Sequence, residues 1–228
     1  MSGPPVLLGA AIPLPPPGPS PVGLLLLLAG MSVLPFLLVT FTSFTKISVV
    51  LSLTRSALGT QQAPPTVVLT GLAAVLSLVV MAPVAESMLS RLRVERLPAE
   101  PGPEMLQAMA RAAEPLRAFL LEHGSSELRA ELASLSRELH AGGATSETDL
   151  AVVAPAFVLS QLKEAFQIGF LVFLPFLVVD MVVANVLLAL GMQSLSPSQV
   201  SLPFKVLLFV AVDGWSLLAR SLVQGYRG

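Results

Sequence analysis

The charged residues of this chain are confined to a few places, and this distribution limits what the chain can fold into. Four runs carry no charge at all: 1–45, 56–85, 165–179 and 181–204. Only 12% of the residues are charged and 54% are hydrophobic, whereas soluble domains carry about a quarter charged residues. A helix of about 20 apolar residues crosses the hydrocarbon core of a membrane. The sequence therefore predicts an all-α, membrane-associated protein with four apolar helical segments, near 22–45, 66–85, 165–190 and 203–220.

The remaining charges define the predicted organisation of the chain. Residues 86–149 hold 7 of the 13 bases and 11 of the 14 acids, so this region must be solvated. Before it we predict a first apolar helical hairpin over 22–85, and after it a second over 150–228. Residues 1–21 contain eight prolines and no base. A secretory signal needs basic residues there, so we predict a disordered, proline-rich lead instead.

Several classes of function are disfavoured by what the sequence lacks. It has no cysteine, which excludes disulfides, thiolate metal sites and cysteine nucleophiles. It contains no HExxH, GxSxG, GxGxxG or phosphate-binding loop motif. Its net charge of -1 and scattered bases argue against nucleic acid. We expect no catalytic, metal-binding or cofactor-binding residue; Asp180 and Asp213 lack the glycine-flanked motif of an aspartyl protease.

The polar region has the pattern of short amphipathic helices. One is predicted over 104–113, and a second is predicted to close at Gly124. A third carries leucines at helical spacing, which we expect to pack on the rest of the subunit: Leu128, Leu132, Leu135 and Leu139. His123 and His140 fall at helix ends, where we expect them to be solvated and without a ligand role.

Eight polar residues interrupt the apolar segments: Lys46, Arg55, Lys163, Glu164, Asp180, Asn185, Lys205 and Asp213. An unpaired charge in hydrocarbon costs several kcal/mol, so these side chains should face protein or a water-filled path. Pairing within or between subunits is favoured over a pore role for each of them.

Spacing along the helices refines the expectation for four of these charges. Lys205 and Asp213 are eight residues apart, about 12 Å along one helix face, which is too far for them to pair. We expect each to find its partner in a neighbouring subunit, and therefore expect self-association. Lys46 and Arg55 are nine apart and should point to nearly opposite faces of one helix.

Prolines interrupt or border every apolar segment, at positions 35, 83, 155, 175 and 203. Each removes a backbone hydrogen bond, which is tolerable in a membrane only inside a bundle or an assembly. We therefore expect broken helices packed in an oligomer. Orientation is less constrained: Arg91, Arg93 and Arg96 would hold the polar region in the cytoplasm by the positive-inside rule.

Two blocks of sequence resemble the FliP/SctR (YscR/HrcR) family of type III secretion export-apparatus proteins. The first runs from Thr42 to Gln62 (TSFTKISVVLSLTRSALGTQQ) and continues to the MAPV at 81–84. The second runs from Pro155 to Phe170 (PAFVLSQLKEAFQIGF), through LPFLVVD at 174–180, to SLPFKVLLFVAVDGW at 201–215. Together they cover well over half of the chain in family order.

The resemblance implies a non-enzymatic core subunit of an export gate in the bacterial inner membrane. Such a subunit forms a homo-oligomer with small SctS/FliQ-like and SctT/FliR-like subunits and works with a large SctV/FlhA-like gate. Together they conduct unfolded proteins, and no cofactor is implied. The resemblance also implies a periplasmic polar region, against the arginine signal, and we follow the resemblance.

In many relatives a methionine-rich loop after the third apolar segment forms a pore gasket, since flexible thioethers can seal around varied chains. Here this loop reads GMQSLSP over 191–197, and only Met192 matches. The gasket candidates are Met192, Gln193 and Leu195. Either a ring of Met192 with Leu195 seals the pore, or Gln193 makes the constriction wetter.

Three alternatives stay open. A flagellar export-gate subunit of the same family is one, because ALGTQQ at 57–62 resembles flagellar members, although TKISVV at 45–50 is nearer to injectisome members. A proton-coupled transporter is another, but it predicts inverted repeats, which the sequence lacks. A passive scaffold of the secretion apparatus is the third, and conductance would distinguish it from a channel.

Overall fold

A computed structural model describes residues 21–60, 63–95, 103–139, 146–192 and 194–227. These residues form helices joined by short connections and contain no strand, which confirms the predicted all-α fold. The helices are α1 (Pro21–Phe41), α2 (Phe44–Leu58), α3 (Thr66–Glu95), α4 (Pro103–Ala112), α5 (Glu114–His123), α6 (Ser126–Leu139), α7 (Leu150–Ala189), α8 (Pro197–Ala211) and α9 (Gly214–Gln224). The proline-rich lead predicted over 1–21 lies, apart from Pro21, outside the described residues.

The described residues divide into two units, of which the first ends at Phe36 and the second begins at Leu37. In the first unit the described large apolar side chains of α1 are all exposed: Leu24, Leu25, Leu28, Met31, Val33 and Phe36. The packing described below is that of the second unit.

Two helices are long and apolar enough to cross a membrane singly, within Thr66–Val94 and Leu150–Ala189. Two bent pairs could each form one further span, Pro35–Phe41 with Phe44–Leu58 and Pro197–Ala211 with Gly214–Gln224. This agrees with the predicted four apolar segments. However, α7 begins at Leu150, fifteen residues before the predicted third segment, because Val153 and Phe157 pack on the polar region.

The core of the second unit forms around α2, which lies against α3 and α7. Ile47, Val50 and Leu51 of α2 are at most 1% exposed. The other large side chains of this core are Leu58, Leu69, Phe176, Phe209, Leu218 and Leu222. One apolar face of α2 is thus packed against α3, α7 and α8, although α2 is only 15 residues long.

The helices do not break at their prolines, contrary to expectation. Pro35, Pro83, Pro155, Pro175 and Pro203 all lie inside continuous helices, because one proline removes only one backbone hydrogen bond and the neighbouring bonds continue.

The two sharp breaks instead occur at polar residues. The first, of 86°, lies at Thr42–Ser43, where Thr42 Oγ1 accepts a hydrogen bond from the Phe44 amide. The second, of 59°, lies at Asp213, which is left-handed at φ 50°. At these positions local side-chain bonds and a left-handed residue replace the helical ladder.

The polar region forms three short helices, and α5 and α6 pack on α7. Phe119 and Leu120 of α5 join Val153, Phe157 and Tyr226 in a second apolar cluster. The leucine stripe of α6 packs only in part: Leu128 and Leu132 are half-buried, whereas Leu135 and Leu139 are exposed.

Gly214 permits the tight turn between α8 and α9. A Cβ at this position would lie 2.2 Å from the Phe209 ring, which is itself held against Phe176 and Trp215. We expect Gly214→Ala to reduce the free energy of unfolding by about 1–3 kcal/mol, as overpacking of a core usually does. Thermal unfolding in detergent measures this. Gly71→Ala is the control, because no atom lies within 4 Å of its Cβ position; equal melting temperatures for both variants would contradict the prediction.

Candidate functional site

The first group of polar residues surrounds Lys46 near the start of α2. The residue is only 4% exposed, and its Nζ lies 2.8 Å from Glu164 Oε2 on α7. The same Nζ lies 3.9 Å from the centre of the Tyr226 ring. A carboxylate and an aromatic face both stabilise a desolvated ammonium group. Together they compensate for the hydration that Lys46 loses, and they join α2 to α7 and to the C-terminal end.

Tyr226 connects this ion pair to the polar region. Its hydroxyl donates a hydrogen bond to Gln161 Oε1, and Gln161 Nε2 donates to the His123 carbonyl oxygen at 3.0 Å. The Tyr226 ring stacks on Phe119 with centroids 5.9 Å apart. Burial and the nearby Glu164 carboxylate raise the pKa of Tyr226, so the phenol keeps the proton that it donates.

The start of α6 is attached to α7 by a further hydrogen bond. The Ser125 amide donates to Ser160 Oγ at 2.8 Å, and Ser160 Oγ donates to the Ala156 carbonyl oxygen at 2.7 Å. The polar region is therefore held to α7 by hydrogen bonds as well as by the apolar cluster.

The expectation that His123 is solvated is wrong. The side chain is half-buried, with its ring 4.6 Å from Phe119 and 5.1 Å from Tyr226 between centroids. Burial lowers the pKa of His123 below its ordinary value of 6.5; Glu122 and Glu164 oppose this shift, while Lys46 adds to it. His140 lies outside the described residues.

The lowered pKa of His123 predicts that the stability of the folded chain depends on pH. The unfolded chain binds a proton at position 123 more readily than the folded chain, so folded stability should decrease as the pH falls below about 6.5 towards the lower folded pKa. We expect His123→Gln to flatten this part of the profile. Thermal unfolding in detergent between about pH 8 and about pH 5 measures the two slopes. His140 is present in both proteins and so cancels; identical slopes would exclude the predicted contribution of His123.

The second group of polar residues surrounds Lys205 on α8. Its Nζ lies 2.6 Å from Asp180 Oδ2 on α7 and donates to the Ala57 carbonyl oxygen of α2 at 3.3 Å. Ser201 Oγ donates to the other oxygen of Asp180. The expectation that Lys205 needs a partner in another subunit is therefore wrong. The short connection between α7 and α8 makes them antiparallel neighbours, which places residues 180 and 205 at the same level.

Removing Lys205 should leave the half-buried Asp180 without its cation. We expect Lys205→Met to lower the free energy of unfolding by about 1–3 kcal/mol, less than for a fully buried pair because Asp180 is partly solvated. Adding Asp180→Asn to this variant should restore part of the loss. Measuring the free energies of unfolding of the two single variants and the double variant completes a double-mutant cycle. If the two single losses simply add in the double variant, Lys205 and Asp180 are not coupled.

The other predicted charges have different environments. Arg55 Nη1 donates to Thr66 Oγ1 at 2.9 Å and to the Pro64 carbonyl oxygen at 3.4 Å, which fastens the connection between α2 and α3. Lys163, Asn185 and Asp213 are exposed, and their side chains contact no hydrogen-bonding or ionic partner among the described residues. That Asp213 pairs with another subunit stays a prediction.

The predicted gasket loop connects α7 to α8. Gly191 at φ 72° turns the chain, and the Met192 amide donates to the Leu187 carbonyl oxygen at 2.9 Å. Met192 and Leu195 are both 44% exposed, and Gln193 lies outside the described residues. The loop follows the C-terminal end of the 40-residue α7, whereas the polar region packs on the N-terminal part of this helix, whose two ends are about 60 Å apart.

The comparisons with known proteins decide the family. The FliP family model matches residues 27–222. The chain belongs to the FliP family. It is 43% identical to the hypersensitivity response secretion protein HrcR of Ralstonia nicotianae, over 90% of this chain and 96% of that protein.

Two other FliP-family relatives carry different names. The Yop proteins translocation protein R of Yersinia pestis is 40% identical over 92% of this chain and 98% of its own length. The flagellar biosynthetic protein FliP of Pectobacterium carotovorum is 47% identical over 89% of this chain and 77% of its own length. The FliP family thus includes relatives named for secretion or translocation and relatives named for flagellar biosynthesis.

Several residues of these polar networks were not predicted as site residues in this FliP-family chain: Gln161, Tyr226, Ser160 and Ser201. Gln161 could have been found from the sequence, because it is a polar residue in an apolar run and lies close to Lys163. Tyr226 gives no such signal, because it follows the last apolar segment and its buried position depends on the tertiary packing.

Proposed function

We propose that the chain is a core subunit of a type III secretion export gate, which forms with partner subunits a channel for unfolded proteins across the bacterial inner membrane. The observation that carries this proposal is the FliP family match over residues 27–222. Relatives named for secretion and translocation align with 90% or more of this chain. No catalytic role is proposed for any residue.

The exposed surface supports an assembled subunit. Large apolar side chains are exposed along α3, α7 and α8, among them Val67 at 77%, Leu78 at 67% and Leu207 at 68%. Such surfaces are covered by lipid or by other proteins rather than by water. The charges of Lys46 and Lys205 are neutralised within the chain, so they do not oppose burial of these faces in an assembly.

Native mass spectrometry after co-expression with the SctS/FliQ-like and SctT/FliR-like subunits tests the assembly. We expect a defined hetero-oligomer that contains several copies of this chain. A stable monomer that ignores both partners would overturn the proposal and favour a transporter.

Within the family we propose the injectisome branch, on the resemblance of the TKISVV segment at 45–50. Deletion of the gene in the bacterium that carries it, with complementation by the wild-type gene as the control, tests this assignment. We expect secretion of effector proteins into the medium to stop while motility persists. Loss of motility with intact effector secretion would assign the chain to the flagellar system.

We also propose that the polar region faces the periplasm. The chain has no cysteine, so single introduced cysteines report their own side of the membrane. Ala130 on α6 and Ser194 in the α7–α8 loop are both exposed and lie towards opposite ends of α7. Each is replaced singly, as Ala130→Cys and Ser194→Cys. We expect an impermeant thiol reagent added to intact spheroplasts to label the Ala130→Cys variant but not the Ser194→Cys variant. The reverse pattern would place the polar region in the cytoplasm.

The loop after α7 is proposed to seal the closed channel through Met192 and Leu195. We expect Met192→Ala to raise the ion leak through the assembled gate, because a shorter side chain leaves the constriction wider. Conductance of the reconstituted complex measures the leak. Leu171→Ala, at an exposed apolar position on α7 remote from the loop, is the control; an equal leak in both variants would exclude the sealing role.

A further inference from the structure

Two exposed apolar faces of this chain each carry one unpaired charge. The first is on α7, where residues spaced three or four apart lie on one side of the helix and are all exposed: Lys163, Phe166, Phe170, Leu174 and Leu177. Phe170 is 65% exposed, so this side of α7 is open to a partner. Lys163 is the one charged member of the set, which is called the α7 face below.

The second face lies at the break between α8 and α9. Leu207 and Val210 precede the break, Leu217 follows it, and all three are 60% to 68% exposed. Asp213 is exposed between them and directly precedes α9, a position where an aspartate usually accepts a hydrogen bond from a helix amide. Here its backbone is left-handed and its carboxylate makes no capping bond, so the charge stays available. These four residues are called the break face.

The α7 face and the break face lie on different sides of the subunit. Asp180 marks the side of α7 that packs on α8, since its carboxylate contacts Lys205. At about 100° per residue, Lys163 lies roughly 100° around α7 from Asp180. On α8, Leu207 lies about 160° around the helix from Lys205 and therefore points away from α7. Two unlike faces on different sides are what a head-to-tail contact between copies requires.

Lys163 and Asp213 of one chain do not pair with each other. The Phe176 ring of α7 lies beside the Phe209 ring of α8, with centroids 6.3 Å apart. Because α7 and α8 are antiparallel, Asp213 is near the level of Val172, and Lys163 is nine residues, about 14 Å, further along α7. Among the described residues, no hydrogen bond or ion pair reaches either side chain. Both charges must therefore be met from outside the chain.

Charge complementarity selects a second copy of this chain as the partner. Whatever covers an apolar face removes water from the charge on it, and this costs several kcal/mol unless the covering surface supplies the opposite charge. Outside residues 86–149 the chain has three acids, Glu164, Asp180 and Asp213, and the first two are paired with lysines. Asp213 is therefore the one acid in the apolar part of a second copy that is free to neutralise Lys163.

We propose that the α7 face of one copy docks on the break face of the next copy, with Lys163 Nζ bound to the Asp213 carboxylate. The large apolar side chains around the pair exclude water from it, which strengthens the attraction. Each copy keeps one face of each kind for a further copy, so the contact repeats. It lies within the assembly of several copies proposed above and therefore rests on that proposed function.

Chemical cross-linking tests the contact. Two differently tagged chains, one with Lys163→Cys and the other with Asp213→Cys, are co-expressed with the partner subunits. Since the wild-type chain has no cysteine, a short bis-maleimide joins copies of this chain only at the introduced thiols. We expect a cross-linked dimer that carries both tags.

The matched control for cross-linking is Asp213→Cys with Arg220→Cys. Arg220 is another exposed cation without a partner among the described residues, but it is not on the α7 face. We expect little cross-linking in this pair. A stronger cross-link here than between positions 163 and 213 would overturn the proposal, and so would a cross-link between two copies that both carry Lys163→Cys.

Charge reversal gives an independent test in the co-expressed complex. Lys163→Glu and Asp213→Lys each bring like charges together, so we expect each to weaken association of the copies about tenfold or more in native mass spectrometry. The chain with both substitutions should recover most of the loss. Arg93→Glu is the control, because Arg93 is exposed on α3 and belongs to neither face. Both reversed positions are exposed, so the melting temperature of the subunit should not change.

The outcomes separate this contact from the wider assembly. A wild-type chain that stays monomeric would remove the proposed assembly and this contact together. Wild-type and reversed chains that assemble equally well, with no cross-link between positions 163 and 213, would overturn the contact and leave the assembly standing. Cross-linking of either cysteine to a partner subunit of different sequence would show that this subunit covers the face, which also overturns the proposal.

Discussion

The packing of this chain depends on the way in which it neutralises Lys46. An ammonium group that is 4% exposed among apolar helices has lost most of its hydration, at a cost of several kcal/mol unless protein groups replace the water. Glu164 and the Tyr226 ring supply that replacement, and they come from α7 and from the C-terminal end of the chain. Because both must be present at once, this one cation fixes three distant parts of the sequence relative to one another.

The need to pair a second buried lysine, Lys205, also sets the register of α2 on α7. Lys205 contacts both Asp180 of α7 and the Ala57 carbonyl oxygen at the end of α2. Lys46 and Ala57 are eleven residues apart, about 16 Å along the helix. Apolar side chains can slide past one another at little cost, whereas a shift of α2 by one turn would separate Lys46 from Glu164 and the Ala57 carbonyl oxygen from Lys205. Directional polar contacts at two levels therefore specify an alignment that the apolar core between them stabilises.

Much of the fold could be predicted from the sequence, because the signals were local. Charge-free runs indicated the apolar helices, and the leucine spacing indicated α6. The partner of Lys205 could not be predicted in this way: Asp180 is on another helix, and the proximity of the two residues depends on the turn between α7 and α8. The positions of the helix breaks could not be predicted either, because they depend on the local hydrogen bond of Thr42 and the left-handed conformation of Asp213 rather than on the prolines.

The division of charges into paired and unpaired groups says more about the assembled state than the apolar surface does. Exposed apolar faces accept either lipid or protein, so they do not distinguish the two. A charge is more selective, because its partner must have the opposite sign and the right position. Lys46 and Lys205 find such partners inside the chain. Lys163, Asp213, Arg220 and Arg227 do not find them among the described residues, so each marks a place where the surroundings of the subunit, and not its own fold, must supply the opposite charge.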